Sequence, residues 1–131
     1  MHALVIEDQF LIATLIEDEL AELGYTSCDI VDTEGAAILA AIRRCPDLIT
    51  ADDRLASGTG ISAVQQICAD QIIPVVFAVG DPGNLTLPVP HASIIGKPFG
   101  GTRLREAVGE AVMLAEAYRR DALARAPLDQ D

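Results

Sequence analysis

Charged residues follow short apolar runs at three places in this chain. Ala3-Leu4-Val5-Ile6 leads into Glu7 and Asp8, Leu48 to Ala51 leads into Asp52 and Asp53, and Ser93 to Ile95 is followed one residue later by Lys97. Carboxylates gathered in one place raise one another's pKa unless a cation joins them. An oxygen-rich, partly hydrated set of this kind suits magnesium. A lysine adds a point charge that can hold an anion beside the metal. Together these groups are equipped for phosphoryl transfer, with the cation neutralising charge on the phosphoryl oxygens and a carboxylate acting as nucleophile. Acids after strands also cap the helices that follow. Capping accounts equally well for Glu7 or Asp8 taken singly, and it is the better account of Asp53. It does not explain Asp52 together with Glu7, Asp8 and Lys97.

These groups are far apart in sequence, so the fold must bring them to one edge. Ala3–Ile6 reads as a buried strand. From Gln9 to Leu23 the residues Leu11, Leu15 or Ile16, Leu20 and Leu23 recur at helical spacing, with Glu17, Asp18, Glu19 and Glu22 on the opposite face. Gly24 stands where a helix stops. The pattern then predicts a strand over Ser27–Val31, a helix over Glu34–Arg44 ended by Pro46, and a strand over Leu48–Ala51. A loop with Gly58 and Gly60 precedes a helix over Ile61–Asp70. Strands follow over Ile73–Val79, with Pro74 near its start, and Ser93–Ile95. A last helix runs from Thr102 to about Ala124, stopped by Pro127. Between the fourth and fifth strands, Asp81 to Pro90 holds three prolines and a glycine, which allows a loop or one helical turn. Strands separated by helices imply an α/β fold, a doubly wound parallel sheet of five strands with the fourth helix short or absent. Ligands of such sheets bind at the carboxyl ends of the strands, where Glu7, Asp8, Asp52 and Lys97 all fall.

The 131 residues fit one domain, with the last helix extended past about residue 115 and 126–131 as a tail. Half of them are hydrophobic, enough for a core without staples. The net charge of −11 argues against nucleic acid, whose phosphates need Lys and Arg. Residues 1–42 hold nine acids and no Lys or Arg, while six of the nine basic residues lie between Lys97 and Arg125. An ordinary solvated surface explains this, and an acidic face that selects a basic partner is the sharper alternative. No apolar run is long enough to span a bilayer and no signal peptide opens the chain, so a soluble, cytoplasmic protein is expected. Cys28, Cys45 and Cys68 form no metal or disulfide pattern and are expected to be buried or idle thiols.

The chain resembles the receiver domain of two-component response regulators, the chemotaxis-protein CheY type, from about Ala3 to Val112. Glu7-Asp8 matches the family's acidic pair. Pro46-Asp-Leu-Ile-Thr-Ala-Asp52 matches the strand into the phosphorylated aspartate, and Asp52-Asp-Arg-Leu-Ala-Ser-Gly-Thr-Gly-Ile61 the loop after it. Lys97-Pro98-Phe99 matches the family's lysine and its usual cis-proline. The resemblance implies strand order 2-1-3-4-5. It implies that Asp52 takes a phosphoryl group from a phosphohistidine on a sensor histidine kinase or histidine phosphotransferase. Asp8, Asp52 and the Arg54 backbone carbonyl would ligate Mg2+, with Glu7 acting through water. Lys97 would contact the phosphoryl group, and the Gly80 amide would donate to one of its oxygens. The Arg54 side chain would lie near the mouth of the site and tune hydrolysis, unless it is simply a surface arginine.

Two positions depart from the family. Its switch Ser or Thr would fall at Val79, which has no hydroxyl, and its strand-five aromatic at Ile94. Capture of phosphate survives these changes, whereas the usual readout does not. Phe77-Ala-Val-Gly80 also resembles the Phe-Ala-Thr-Gly stretch of a receiver subgroup in alphaproteobacterial stress signalling, with Thr replaced by Val79. The expectation is a single-domain regulator, monomeric or weakly dimeric. It signals through a downstream protein target or serves as a phosphate sink, and it is not an enzyme beyond assisting its own phosphorylation and dephosphorylation. The alternative is a pseudo-receiver that binds a partner without phosphorylation. A flavodoxin-like cofactor binder would want a phosphate loop in place of Glu7-Asp8-Gln9-Phe10, and a haloacid-dehalogenase-like phosphatase would want Asp-x-Asp in place of Asp52-Asp-Arg54.

Overall fold

Strands covered by helices on both sides read as unbroken apolar runs. In the computed structural model, which describes residues 1–125, three such runs are fully buried strands: β1 (His2–Ile6), β3 (Leu48–Ala51) and β4 (Val75–Val79). The edge strands β2 (Ser27–Val31) and β5 (Ala92–Gly96) are only partly buried. All neighbours are parallel, in the order β2-β1-β3-β4-β5. The expected fold class and strand order are therefore those observed. Helices α1 (Phe10–Glu22) and α4 (Gly101–Arg125) pack on one face against Ala3, Val5, Leu48, Val76 and Ala78. Helices α2 (Glu34–Arg43) and α3 (Gly60–Ile67) cover Leu4, Ile6, Ile49, Val75 and Phe77 on the other.

Several local expectations need correcting. In α1 the buried face is Ala13, Ile16 and Leu20, while Leu11 and Leu15 are 76% and 62% exposed. Both sets step at helical spacing, and the small Ala13 allows the helix to lie close to the sheet. Strand β4 begins at Val75 rather than Ile73, because Pro74 has no N–H to give to the ladder. Helix α3 ends at Ile67 rather than Asp70. Asp53 does not cap that helix. The Thr59 hydroxyl does so, accepting from Ser62 N at 3.1 Å, while the Asp53 carbonyl accepts from Gly60 N at 2.8 Å. Asp8 caps nothing either, since the N-cap of α1 is Gln9.

The link between β4 and β5 holds one 3-10 turn, Pro82–Asn84, so the helix expected to be short or absent there is reduced to that turn. The fourth α-helix in chain order is instead the long C-terminal one. Its 25 residues span about 38 Å, roughly twice the length of a five-residue strand. Its overhang is pinned through residue 119. Tyr118 stacks on His91 at 5.4 Å, and Arg119 Nη2 donates to Ile72 O at 2.7 Å. The expected tail 126–131, with Pro127 as the helix stop, lies outside the described residues. No described helix is long and apolar enough to cross a membrane. The three cysteines are free, and burial pushes the Cys28 thiol up to about 12 and the Cys68 thiol to about 11, which keeps both protonated.

Candidate functional site

Backbone ladders run one residue beyond the strand ends on the carboxyl edge. Glu7 N donates to Val31 O, Asp52 N to Ile6 O and Lys97 N to Val79 O, at 2.9, 2.9 and 2.8 Å. The charged residues are thus held in the register of the sheet and not on free loops. Lys97 Nζ bridges Glu7 Oε1 at 2.6 Å and Asp52 Oδ2 at 2.8 Å. Asp52 Oδ1 accepts from Asp53 N at 2.8 Å, and Glu7 Oε2 from Gln9 N at 3.1 Å. The Asp52 side chain is 13% exposed, enough for a reactant to reach it.

The electrostatics reflect crowded acids around one cation. Glu7 is 3% exposed, and burial pushes its pKa up, with the Asp52 charge adding to the rise; Lys97 and the Gln9 amide oppose this only in part. For Lys97, burial works against the charge. Its hydrogen bonds to Asp52 and Glu7, and their charges, outweigh that effect and hold its pKa above the usual lysine value. Lys97 is therefore a fixed positive charge at neutral pH.

Ligand oxygens of Glu7, Asp8 and Asp52 lie within 4.8 Å of one another. Lys97 serves Glu7 and Asp52, and Asp8 has no ion pair among the described residues. An all-oxygen set with one carboxylate left over is the donor chemistry of a hard divalent cation, so the residues present fit a magnesium site.

An open cleft of about 770 Å³ brings Asp8, Asp52, Arg54, Val79, Gly80 and Lys97 together. Arg54 is exposed at its rim, bridged to Thr59 across the turn. A Cβ added at Gly80 would meet nothing within 4 Å, so the space beside its Cα is open. Val79 is 3% exposed, on the floor of the cleft. Ile94 is not in the cleft. It is half-buried on β5, opposite Phe77, among the side chains under α2 and α3. Sequence reasoning missed Asp81 and Asn84, which line the same cleft. The available signal was their place directly after β4, on the edge that carries the other charged groups.

Gly60 explains how the loop after β3 is held. A Cβ there would clash with the Asp52 carbonyl oxygen, so only glycine lets the start of α3 close against the backbone of Asp52. The loop is also tied to α2, where Glu34 accepts from Thr59 N, Ser62 Oγ and Gln66 Nε2.

No family model and no curated protein matches the chain. Solved structures do match. The solution structure of the receiver domain of the PhyR response regulator from Erythrobacter litoralis is 29% identical, over 86% of this chain and 89% of that one, with a TM-score of 0.75. The anti-anti-sigma factor PhyR from Bartonella quintana is 30% identical over 92% of this chain, with a TM-score of 0.77. This chain spans about half of that protein, covering 51% of it. A CheY-like receiver domain from Methylobacillus flagellatus shares the fold at 22% identity, with a TM-score of 0.72 over 85% of this chain and 98% of that one. In strand order, acidic edge and overall likeness the chain is similar to the receiver domains of response regulators, those of the PhyR proteins among them, as its sequence led us to expect.

Proposed function

We propose that the chain is the phosphoryl acceptor of a two-component phosphorelay, with Asp52 taking the group from a phosphohistidine on a sensor histidine kinase or histidine phosphotransferase. The observation that carries this reading is the Lys97 ammonium shared between Asp52 and Glu7 at the open carboxyl edge of the sheet. An Asp52 oxygen forms the new O–P bond, the P–N bond breaks, and the imidazole nitrogen keeps the electron pair. Lys97 holds one phosphoryl oxygen and the Gly80 amide another. Asp8, Asp52 and the Arg54 carbonyl, with Glu7 through water, would hold Mg2+, which when bound supplies positive charge beside the phosphoryl oxygens. The Arg54 side chain, exposed at the rim, tunes the approach of water to the acyl phosphate. The site assists its own phosphorylation and dephosphorylation and turns over no other substrate.

The exposed Leu15, with Ile12 and Phe99, lines a second, more apolar cleft that shares Gln9 and Lys97 with the first. A protein donor pressing there would bring its histidine to Asp52. The strongly acidic surface supports protein partners over nucleic acid. By analogy with the PhyR proteins, the output is a contact with a protein target in stress signalling, in a cytoplasmic setting, or drainage of phosphate from the relay. A pseudo-receiver is the second reading, and the buried Val79 at the usual hydroxyl position favours it.

Labelling by a phosphorylated histidine donor tests the assignment. Wild type takes label and Asp52→Asn does not. Label that persists in Asp52→Asn would place the acceptor elsewhere. Beryllofluoride with Mg2+ separates the two readings by NMR: movement of the Asp8, Asp52 and Gly80 amides supports the acceptor, and no movement supports the pseudo-receiver.

A further inference from the structure

Resting on the acceptor reading, we propose that Asn84 is a phosphoryl-contacting residue whose side-chain amide donates to a phosphoryl oxygen on Asp52, in the role that Val79 lacks the hydroxyl to fill. A transferred phosphoryl group brings a charge of about −1.5 to −2 and three strong acceptor oxygens. The Lys97 ammonium, reaching across from the end of β5, is spent on Glu7 and Asp52, and Asp8 stands with those two carboxylates. On the β4 side the cleft wall is Val79, Gly80, Asp81 and Asn84. Val79 offers no donor, and Gly80 offers only its main-chain amide. Asn84 carries the one side-chain donor on that wall among the described residues. Gln9, the other neutral amide lining the cleft, follows β1, two strands away from β4 in the sheet.

Asn84 is already held for this purpose by a group that an anion would displace. Its Nδ2 donates to Asp81 Oδ2 at 2.6 Å, and both residues are exposed. A phosphoryl group on Asp52 repels the Asp81 carboxylate and competes for the same N–H groups. The amide passes from one oxygen anion to the other, and Asp81 swings out to water.

The turn that carries Asn84 is braced at both ends. Pro82 rests on Gly96, the residue before Lys97: a Cβ at Gly96 would lie 3.2 Å from Pro82 Cγ. Leu85, the residue after Asn84, packs against the core beneath α2 and α3. A shift of Asn84 therefore moves the turn against β5 on one side and the core on the other. It is a route from the site into the body of the domain that uses no hydroxyl at position 79.

NMR of the full chain with beryllofluoride and Mg2+ tests this. The amides of Asp52 and Gly80 report capture, the Asn84 side-chain NH2 reports the contact, and the amides of Gly96 and Leu85 report the turn. In wild type all three groups of signals move. In Asn84→Ala the Asp52 and Gly80 signals still move, the Gly96 and Leu85 response is lost, and beryllofluoride binds about three- to tenfold more weakly, the effect of one hydrogen bond. Val79→Thr in the Asn84→Ala background restores part of the turn response. If the Asp52 and Gly80 amides move while the Asn84 NH2 signal stays fixed, the inference is wrong and the acceptor reading stands. Unchanged beryllofluoride affinity in Asn84→Ala would equally overturn it, leaving Asn84 as a brace of the turn. No movement of any signal in wild type would remove the acceptor reading and this inference together.

Discussion

On the proposed reading Val79 takes the place of a hydroxyl that would meet the phosphoryl group, and its burial makes the replacement easy to weigh. Putting Thr there adds a hydroxyl to a position that is 3% exposed on an apolar strand. An unpartnered buried hydroxyl costs about 1–3 kcal/mol. Val79→Thr is therefore expected to lower the stability of the free protein by about that amount in a urea titration. Beryllofluoride with Mg2+ should recover part of the loss and enlarge the amide shifts of β4 and β5. An unchanged shift pattern would mean that the domain relays the event entirely through other residues. Residues of this kind were legible because each charged group stood at the end of an apolar run, so that strand assignment alone placed Glu7, Asp8, Asp52 and Lys97 on one edge. Asp53 was misjudged because an acid before a helix looks like a cap, and Thr59, six residues later, holds that role. Asn84 was hidden in a proline-rich link whose composition predicts only that no long helix forms.

The loop from Asp52 to the start of α3 is the element on which the geometry of Asp52 depends. Isolated bridges tie Thr33 to Ser57 and Arg54 to Thr59, and Ala56 N donates to Asp32 O at 3.1 Å, so the loop lies across the start of α2. Gly60 closes it against the Asp52 carbonyl. Gly60→Ala forces a methyl into that contact, and overpacking of this kind costs about 1–3 kcal/mol. The expected outcome is a lower Tm together with slower labelling of Asp52. Full labelling at normal stability would show that the loop yields without disturbing the acceptor. At this scale the strands were easier to read than the helices. A strand buried on both faces has one interpretation, whereas α1 carries Leu11 and Leu15 at the same spacing as Ile16 and Leu20. Only the position of the sheet and of α4 decides which pair is buried.

Over the whole molecule, the two ends of the sheet have different duties. The carboxyl edge carries the charged cleft, while the opposite edge is where α4 is fastened through His91, Tyr118 and Arg119. His91 is 3% exposed, and neither ring nitrogen has a hydrogen-bond partner among the described residues. Burial lowers its pKa from the ordinary 6.5 and the Arg119 charge adds to this, while the nearby Ile73 main chain offsets only part. The unfolded chain then binds a proton that the folded one resists. The stability this site contributes is complete above pH 6.5 and is lost as pH falls from there towards the folded pKa. His91→Phe keeps the stack on Tyr118 and removes the proton. Thermal melts of wild type and His91→Phe should diverge below pH 6.5, with wild type losing stability faster; parallel curves would show that His91 reaches a partner in solution. Nothing in the sequence distinguished this histidine from a surface one, because its burial depends on where the last helix comes to rest. The bridge between Lys97 and Glu7 joins residues 90 positions apart, and that between Lys97 and Asp52 joins residues 45 apart. A chain emerging from the ribosome therefore exposes Asp52 long before the lysine that pairs with it. Until Lys97 is made the aspartate stands among like charges, and on the proposed reading it is not yet fit to take a phosphoryl group.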